Sequence, residues 1–159
     1  MRRTPISAQA DRTESRSASI TVIDPSPLSL LALAGVLDAE GWKCVCGRNN
    51  DMAVAAMDMG PQDLFVFDVG DDAAAVLDTL AVIRGREEYE KVPAVLLAES
   101  QWAGLEKQIE SLPVTRCLFK PIDPPSLVAV VQQLLWMPGL VEAHRRRGSR
   151  PSRPGWVNL

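Results

Sequence analysis

The sequence predicts an α/β domain in which five parallel strands alternate with five helices, and three observations lead there. Five short apolar or β-branched runs recur along the chain: ITVI (20–23), KCVC (43–46), LFVF (64–67), AVLL (94–97) and CLF (117–119). Each run is followed by a segment with helical spacing of its apolar residues. The first, third and fourth runs are apolar on both faces, as strands covered by helices on each side must be. Strict β–α alternation of this kind specifies a parallel sheet with helices on both faces.

Taken in order, strand 1 (20–23) runs into Asp24, and helix 1 (27–40) begins at Pro27, whose fixed φ and missing N–H suit a first helical position. Strand 2 (43–46) and helix 2 (50–59) follow. Strand 3 (64–67) ends in Asp68, and helix 3 (73–84) starts after Gly70, Asp71 and Asp72. Asp71 and Asp72 read equally well as caps of that helix and as extra carboxylates beside a pocket. Strand 4 (94–97) leads through Ala98 to helix 4 (102–112); strand 5 (117–119) leads through Lys120-Pro121 to helix 5 (124–136). Right-handed crossovers leave few arrangements of five such units, and the flavodoxin-like (βα)5 order 2-1-3-4-5 is the expected one.

The chain has 159 residues and 47% hydrophobic content, one domain's worth with a real core. Its net charge of −3 is unevenly spread. Four arginines against Asp11 and Glu14 make residues 1–16 basic, and five arginines make 143–159 basic, which leaves −10 for residues 17–142. An acidic core argues against nucleic-acid binding. The expected organisation is a disordered basic segment (1–17), one domain (18–137), and a Pro/Gly/Arg-rich basic tail (138–159). Three cysteines without a signal-peptide pattern point to a reducing, cytoplasmic setting, and no apolar run approaches the roughly 20 residues of a membrane span.

In such a fold, ligands meet the carboxyl ends of the strands near the switch point between strands 1 and 3. Asp24, Asp68, Ala98 and Lys120 stand at those ends. Clustered carboxylates there suit a hard divalent ion such as Mg2+ or a lysine counter-charge, and a carboxylate so placed can act as a nucleophile toward phosphorus. One Asp at a strand end is more often a turn residue; two with a lysine at three strand ends make a site the stronger reading.

These residues carry a resemblance. From about Ile20 to Trp136 the sequence resembles a response-regulator receiver domain of two-component signalling, through VIDPSP after strand 1, DLFVFD ending in Asp68, VPAVLLAES as strand 4, and LFKPID with Lys120. Ala98 and Lys120 lie 30 and 52 residues beyond Asp68, within the family's usual spacing. The resemblance implies Asp68 as phosphoacceptor, Lys120 as its partner, a Lys-Pro cis bond, and a Mg2+ site formed by Asp24, Asp68 and the Gly70 carbonyl. It implies histidine kinases, phosphotransferases or downstream effectors as partners; no membrane insertion is expected, for want of a long apolar run.

Three positions depart from that pattern. Pro25 stands where a second metal-binding acid is usual, Ala98 where a Ser or Thr would bond the phosphoryl group, and Cys117 where the aromatic switch residue sits. Ser100, two residues further on, is a poor substitute for the hydroxyl. These positions serve one pathway, so the chain is expected to be an atypical or pseudo-receiver with a weak Mg2+ site. Its phosphorylation is then absent, or slow and poorly coupled to conformation.

Helix 1 carries Leu28, Leu31 and Ala32 on one stripe and Leu30, Leu33, Ala34 and Leu37 on another, too wide for a single core-facing side. An exposed stripe for a partner and deeper burial are both open. Helix 5 is similarly wide, and the family's face of helix 4, strand 5 and helix 5 makes a homodimer an expectation. Cys44 and Cys46 share one face of strand 2, more plausibly as packing residues than as metal or redox groups. His144 beside Arg145–Arg147 is expected to be solvated, and the basic tail to be a solubilising segment rather than an anion-binding one.

Three functions are open: a signalling adaptor acting through protein binding and not an enzyme, a phospho-accepting regulator, and a flavin- or nucleotide-binding enzyme of flavodoxin fold. The last is disfavoured because DPSP after strand 1 has no glycines to cradle phosphate.

Overall fold

The structure is a computed structural model that describes residues 17–137. The expectations for residues 1–16 and 138–159, His144 and the arginines among them, lie outside the described residues. The strands are β1 (Ser19–Ile23), β2 (Lys43–Gly47), β3 (Leu64–Asp68), β4 (Ala94–Ala98) and β5 (Thr115–Phe119). The helices are α1 (Pro27–Asp38), α2 (Asn50–Met59), α3 (Ala73–Arg84), α4 (Leu105–Gln108) and α5 (Pro124–Leu135). All four strand pairings are parallel, in the order β2-β1-β3-β4-β5. The predicted architecture and strand order are therefore the observed ones.

The apolar runs explain the sheet. β1, β3 and β4 are buried along their whole length, and their alternate residues feed two separate cores. Phe65, Phe67, Leu96 and Ile23 pack with α2 and α3 on one face. Ile20, Val22, Val66 and Leu97 pack with Leu33, Leu37, Leu127, Val131 and Leu134 of α1 and α5 on the other. β2 and β5 are the edges and are only partly covered. Four helices begin at a polar cap whose side chain accepts a backbone N–H of the first turn: Ser26, Asn49, Asp72 and Asp123. Pro27 and Pro124 open their helices as their ring geometry favours.

Helix 4 is the main correction. In place of one helix over 102–112, the chain forms a 3-10 turn (Ser100–Trp102), a single α-turn (α4) and a second 3-10 turn (Ile109–Ser111). The break lies at Ala103-Gly104, where Ala103 is extended and Gly104 takes φ +106, a left-handed conformation that suits glycine and ends any helix entering it. The strand-5 expectation was short by two residues: Thr115 and Arg116 already pair with Ala94 and Val95.

The wide apolar pattern of α1 is resolved by burial. Leu33 and Leu37 face the core, while Leu28 and Leu31 are 80% and 71% exposed. Leu37→Ala is accordingly expected to cost about 2–5 kcal/mol by chemical denaturation, whereas Leu28→Ala should change stability by no more than about 0.5 kcal/mol.

Candidate functional site

The parallel register delivers the predicted residues to one end of the sheet. Asp24 leaves β1 with its backbone N–H bonded to the Gly47 carbonyl, 3.1 Å. Asp68 is the last residue of β3, opposite Leu97, and Ala98 the last of β4, opposite Phe119. Lys120 follows β5, its N–H held by the Ala98 carbonyl at 2.8 Å. The Lys120-Pro121 bond is cis, as the resemblance implies.

Asp68 is 7% exposed. Its Oδ1 accepts the Gly70 N–H at 2.9 Å, and its Oδ2 lies 2.5 Å from Lys120 Nζ. Lys120 also reaches Glu99 Oε2, 3.5 Å away. Burial alone would lower the lysine pKa, but the hydrogen bond and charge of Asp68, with Glu99 adding to them, hold it above its ordinary value. Both carboxylate oxygens of Asp68 are thus engaged from within the chain.

Asp24 is more deeply buried, at 1% exposure. Its Oδ1 accepts the Ser26 N–H at 2.9 Å, while Oδ2 has no hydrogen-bond partner. Pro25, beside it, is exposed; its carbonyl accepts from Arg48 Nε and Nη2, both at 3.3 Å. Gly70 takes φ +63, and a Cβ there would come 3.9 Å from the Pro25 ring. Its carbonyl accepts the indole N–H of Trp102 at 2.9 Å. Asp72 is the cap of α3, bonding Ala75 N at 3.0 Å, and Asp71 is exposed.

Asp68 borders two cavities. One, of about 180 Å³, lies among Pro25, Arg48, Asn49, Gly70, Asp71 and Asp72. The other, of about 270 Å³, opens between α1 and the β5–α5 junction, along Leu33, Val36, Lys120, Pro121 and Pro124. Ser100 is exposed in the 3-10 turn beyond β4. Cys117 is half-buried against the α3 side of the core, so no aromatic occupies the place three residues before the lysine.

The other cysteines stand apart from this site. Cys44 is half-buried, its thiol against the Ala34 carbonyl, and its pKa is pushed up to about 11 by burial and then by Cys46 and Asp38. Cys46 is exposed, and partial burial of its thiol still raises its pKa. Thiols held in the protonated form are poor metal ligands. Among the described residues no group of three or more His, Cys, Asp or Glu side chains could hold a metal ion.

Comparison with solved structures shows what this arrangement is similar to. A chemotaxis response regulator of Vibrio cholerae matches with a TM-score of 0.62 at 17% identity, over 75% of this chain and 99% of its own. A response regulator receiver protein from Sinorhizobium medicae matches with a TM-score of 0.65 at 22% identity, over 76% and 95%. The receiver domain of a histidine kinase from Syntrophus aciditrophicus matches with a TM-score of 0.64 at 22% identity, over 75% and 90%. The chain has the fold of a response-regulator receiver domain. No family model matches the sequence, and no curated protein matches it significantly.

On a receiver fold the natural test is whether a Mg2+ ion suits this end of the sheet. Mg2+ demands near-octahedral oxygen ligation. Here Pro25 supplies no carboxylate, both oxygens of Asp68 are engaged, and the Gly70 carbonyl points at an indole that does not line the cavity. Asp24, whose Oδ2 has no hydrogen-bond partner, does not line that cavity, and Asp71, which does, is exposed. The donor set as it stands does not fit the ion.

Arg48, Glu99 and Trp102 are the site residues that sequence reasoning did not assign. Each acts through a contact to a distant strand end, and only Glu99, next to Ala98, stood beside a position already singled out.

Removing the lysine leaves the Asp68 carboxylate buried without its cation. Lys120→Met is expected to lose about 1–3 kcal/mol of stability. Because the folded protein holds this lysine above its unfolded value of 10.5, the contribution is complete below that pH and is lost as pH rises through the folded pKa. Melting temperatures taken from about pH 9 to 12 should fall more steeply for the parent protein than for Lys120→Met.

Proposed function

We propose that this protein is a bacterial two-component signalling protein of the atypical single-domain type, which works in the cytoplasm by binding other signalling proteins. It is not an enzyme, and phosphorylation of Asp68 is absent or weak. The observations that support this reading are Ala98, which offers no hydroxyl at the end of β4, and the Gly70 carbonyl, which is held by the Trp102 indole rather than left for a cation; the Asp68–Lys120 pair is common to both readings. A phosphoryl group on Asp68 would meet Lys120 but would find no side-chain donor at the end of β4. A binding output needs a surface, and α1 supports one. Its sequence PLSLLALAGVLD has no charge before Asp38, yet Leu28, Leu31, Ala32 and Gly35 face solvent. The alternative face of α4, β5 and α5, expected for a homodimer, has only one turn of α4 to offer, so the α1 stripe carries the partner reading.

A second reading, phosphoryl acceptance at Asp68, is favoured by one observation: Asp24 keeps a buried carboxylate oxygen without a hydrogen-bond partner. Incubation with acetyl phosphate and Mg2+, followed by intact-protein mass spectrometry, decides between the two. The expected result is no phosphoprotein adduct; a stoichiometric adduct lost in Asp68→Ala would establish the second reading. Co-purified flavin or nucleotide would overturn both.

The binding output has its own test. Proteins captured from native-cell lysate should be the same for the parent protein and Asp68→Ala, and should be lost with Leu28→Asp/Leu31→Asp. Capture that depends on Asp68 and ignores the α1 pair would contradict the reading.

A further inference from the structure

Two backbone carbonyls on either side of the smaller Asp68 cavity are each occupied by a side-chain N–H from another part of the fold. The Pro25 carbonyl, after β1, takes both Nε and Nη2 of Arg48, which follows β2. The Gly70 carbonyl, after β3, takes Nε1 of Trp102, which follows β4. The two loops approach each other closely, since a Cβ on Gly70 would meet the Pro25 ring at 3.9 Å. Trp102 is anchored in turn: its ring packs on the core cluster that contains Phe67 and Leu96.

Each contact does what a bound cation would do. A guanidinium lying on the cavity rim brings positive charge to a region that holds Asp68, Asp71 and Asp72. An indole N–H on the Gly70 carbonyl occupies one lone pair of that oxygen and directs it toward a ring outside the cavity. An ion drawing on the Gly70 oxygen would have to compete with a hydrogen bond of ordinary length backed by a packed ring.

We propose that Trp102 and Arg48 are positioning residues that replace the divalent ion at the Asp68 pocket, with Trp102 excluding it by holding the Gly70 carbonyl out of reach. This rests on the reading of the chain as a receiver-fold protein with weak or absent phosphorylation, and it gives that state a cause outside the three departures seen in the sequence. Restoring a carboxylate at Pro25 alone would then leave the site incomplete, because Trp102 would still hold Gly70.

The test uses the full chain and Mn2+ as the probe, with free ion counted by electron paramagnetic resonance. Trp102→Phe keeps a ring and removes the N–H. It is expected to bind Mn2+ about tenfold or more tightly than the parent protein, the scale on which partners of metal ligands act. Arg48→Ala in the same background should tighten it further, and Asp24→Asn should abolish the gain. Unchanged Mn2+ affinity in a folded Trp102→Phe protein would overturn the proposal, as would tight, Asp24-dependent Mn2+ binding by the parent protein. A second measurement needs no variant: the Trp102 indole N–H should be protected from hydrogen exchange and unmoved by Mg2+, and rapid exchange would overturn the proposal. An acetyl-phosphate adduct on Asp68 would instead remove the weak-phosphorylation reading and leave the Mn2+ comparison to decide the role of Trp102.

Discussion

The Asp68–Lys120 ion pair is the interaction on which this end of the molecule depends. The carboxyl ends of a parallel sheet collect whatever follows each strand, and here they collect two nearly buried carboxylates, within a stretch (residues 17–142) whose net charge is −10. A buried carboxylate without compensation is costly. Lys120 supplies compensation for Asp68 because β5 pairs with β4 in a register that bonds its N–H to the Ala98 carbonyl and sets its side chain beside β3. Glu99 then braces the ammonium from the solvent side. The sheet order determines the pair, and the pair makes the strand ends tolerable.

What distinguishes this pocket is that its polar groups are mostly satisfied by the chain itself. Gly70 N and Lys120 share the Asp68 oxygens, Arg48 holds Pro25, Trp102 holds Gly70, and Asp72 is spent on capping α3. A site that must accept a phosphoryl group keeps donors waiting for it. The absent hydroxyl at Ala98 and the absent aromatic at Cys117 fit the same picture, since a switch moved by a phosphoryl group needs both a contact and something to move. The exposed apolar stripe of α1, by comparison, is available without any change in the pocket.

The sequence made the sheet legible because burial on both faces writes long apolar runs into β1, β3 and β4. It made four helix starts legible because caps and first-turn prolines are local chemistry. Helix 4 failed for an equally local reason that apolar spacing hides: Gly104 permits a left-handed turn near the start of a periodic segment. Asp24, Asp68 and Lys120 could be placed because each follows a strand directly. Trp102–Gly70 and Arg48–Pro25 could not, because their partners lie 32 and 23 residues apart and neither residue type announces its target. The same holds at the far end of the sheet, where Gln62 and Asp63 are buried in hydrogen bonds to Ser19 and Thr21. Polar residues in a loop read as solvated until the strand beside them is known.

We propose that Asp68 sits in a receiver's place without a receiver's chemistry. Amide spectra of the full chain, recorded by nuclear magnetic resonance with and without beryllofluoride and Mg2+, test it most directly. The account predicts no saturable change at Asp68, Gly70, Ala98 or Lys120, and none in the segment from Ser100 to Ser111. Saturable shifts that require Mg2+, begin at Asp68 and spread into that segment would contradict it.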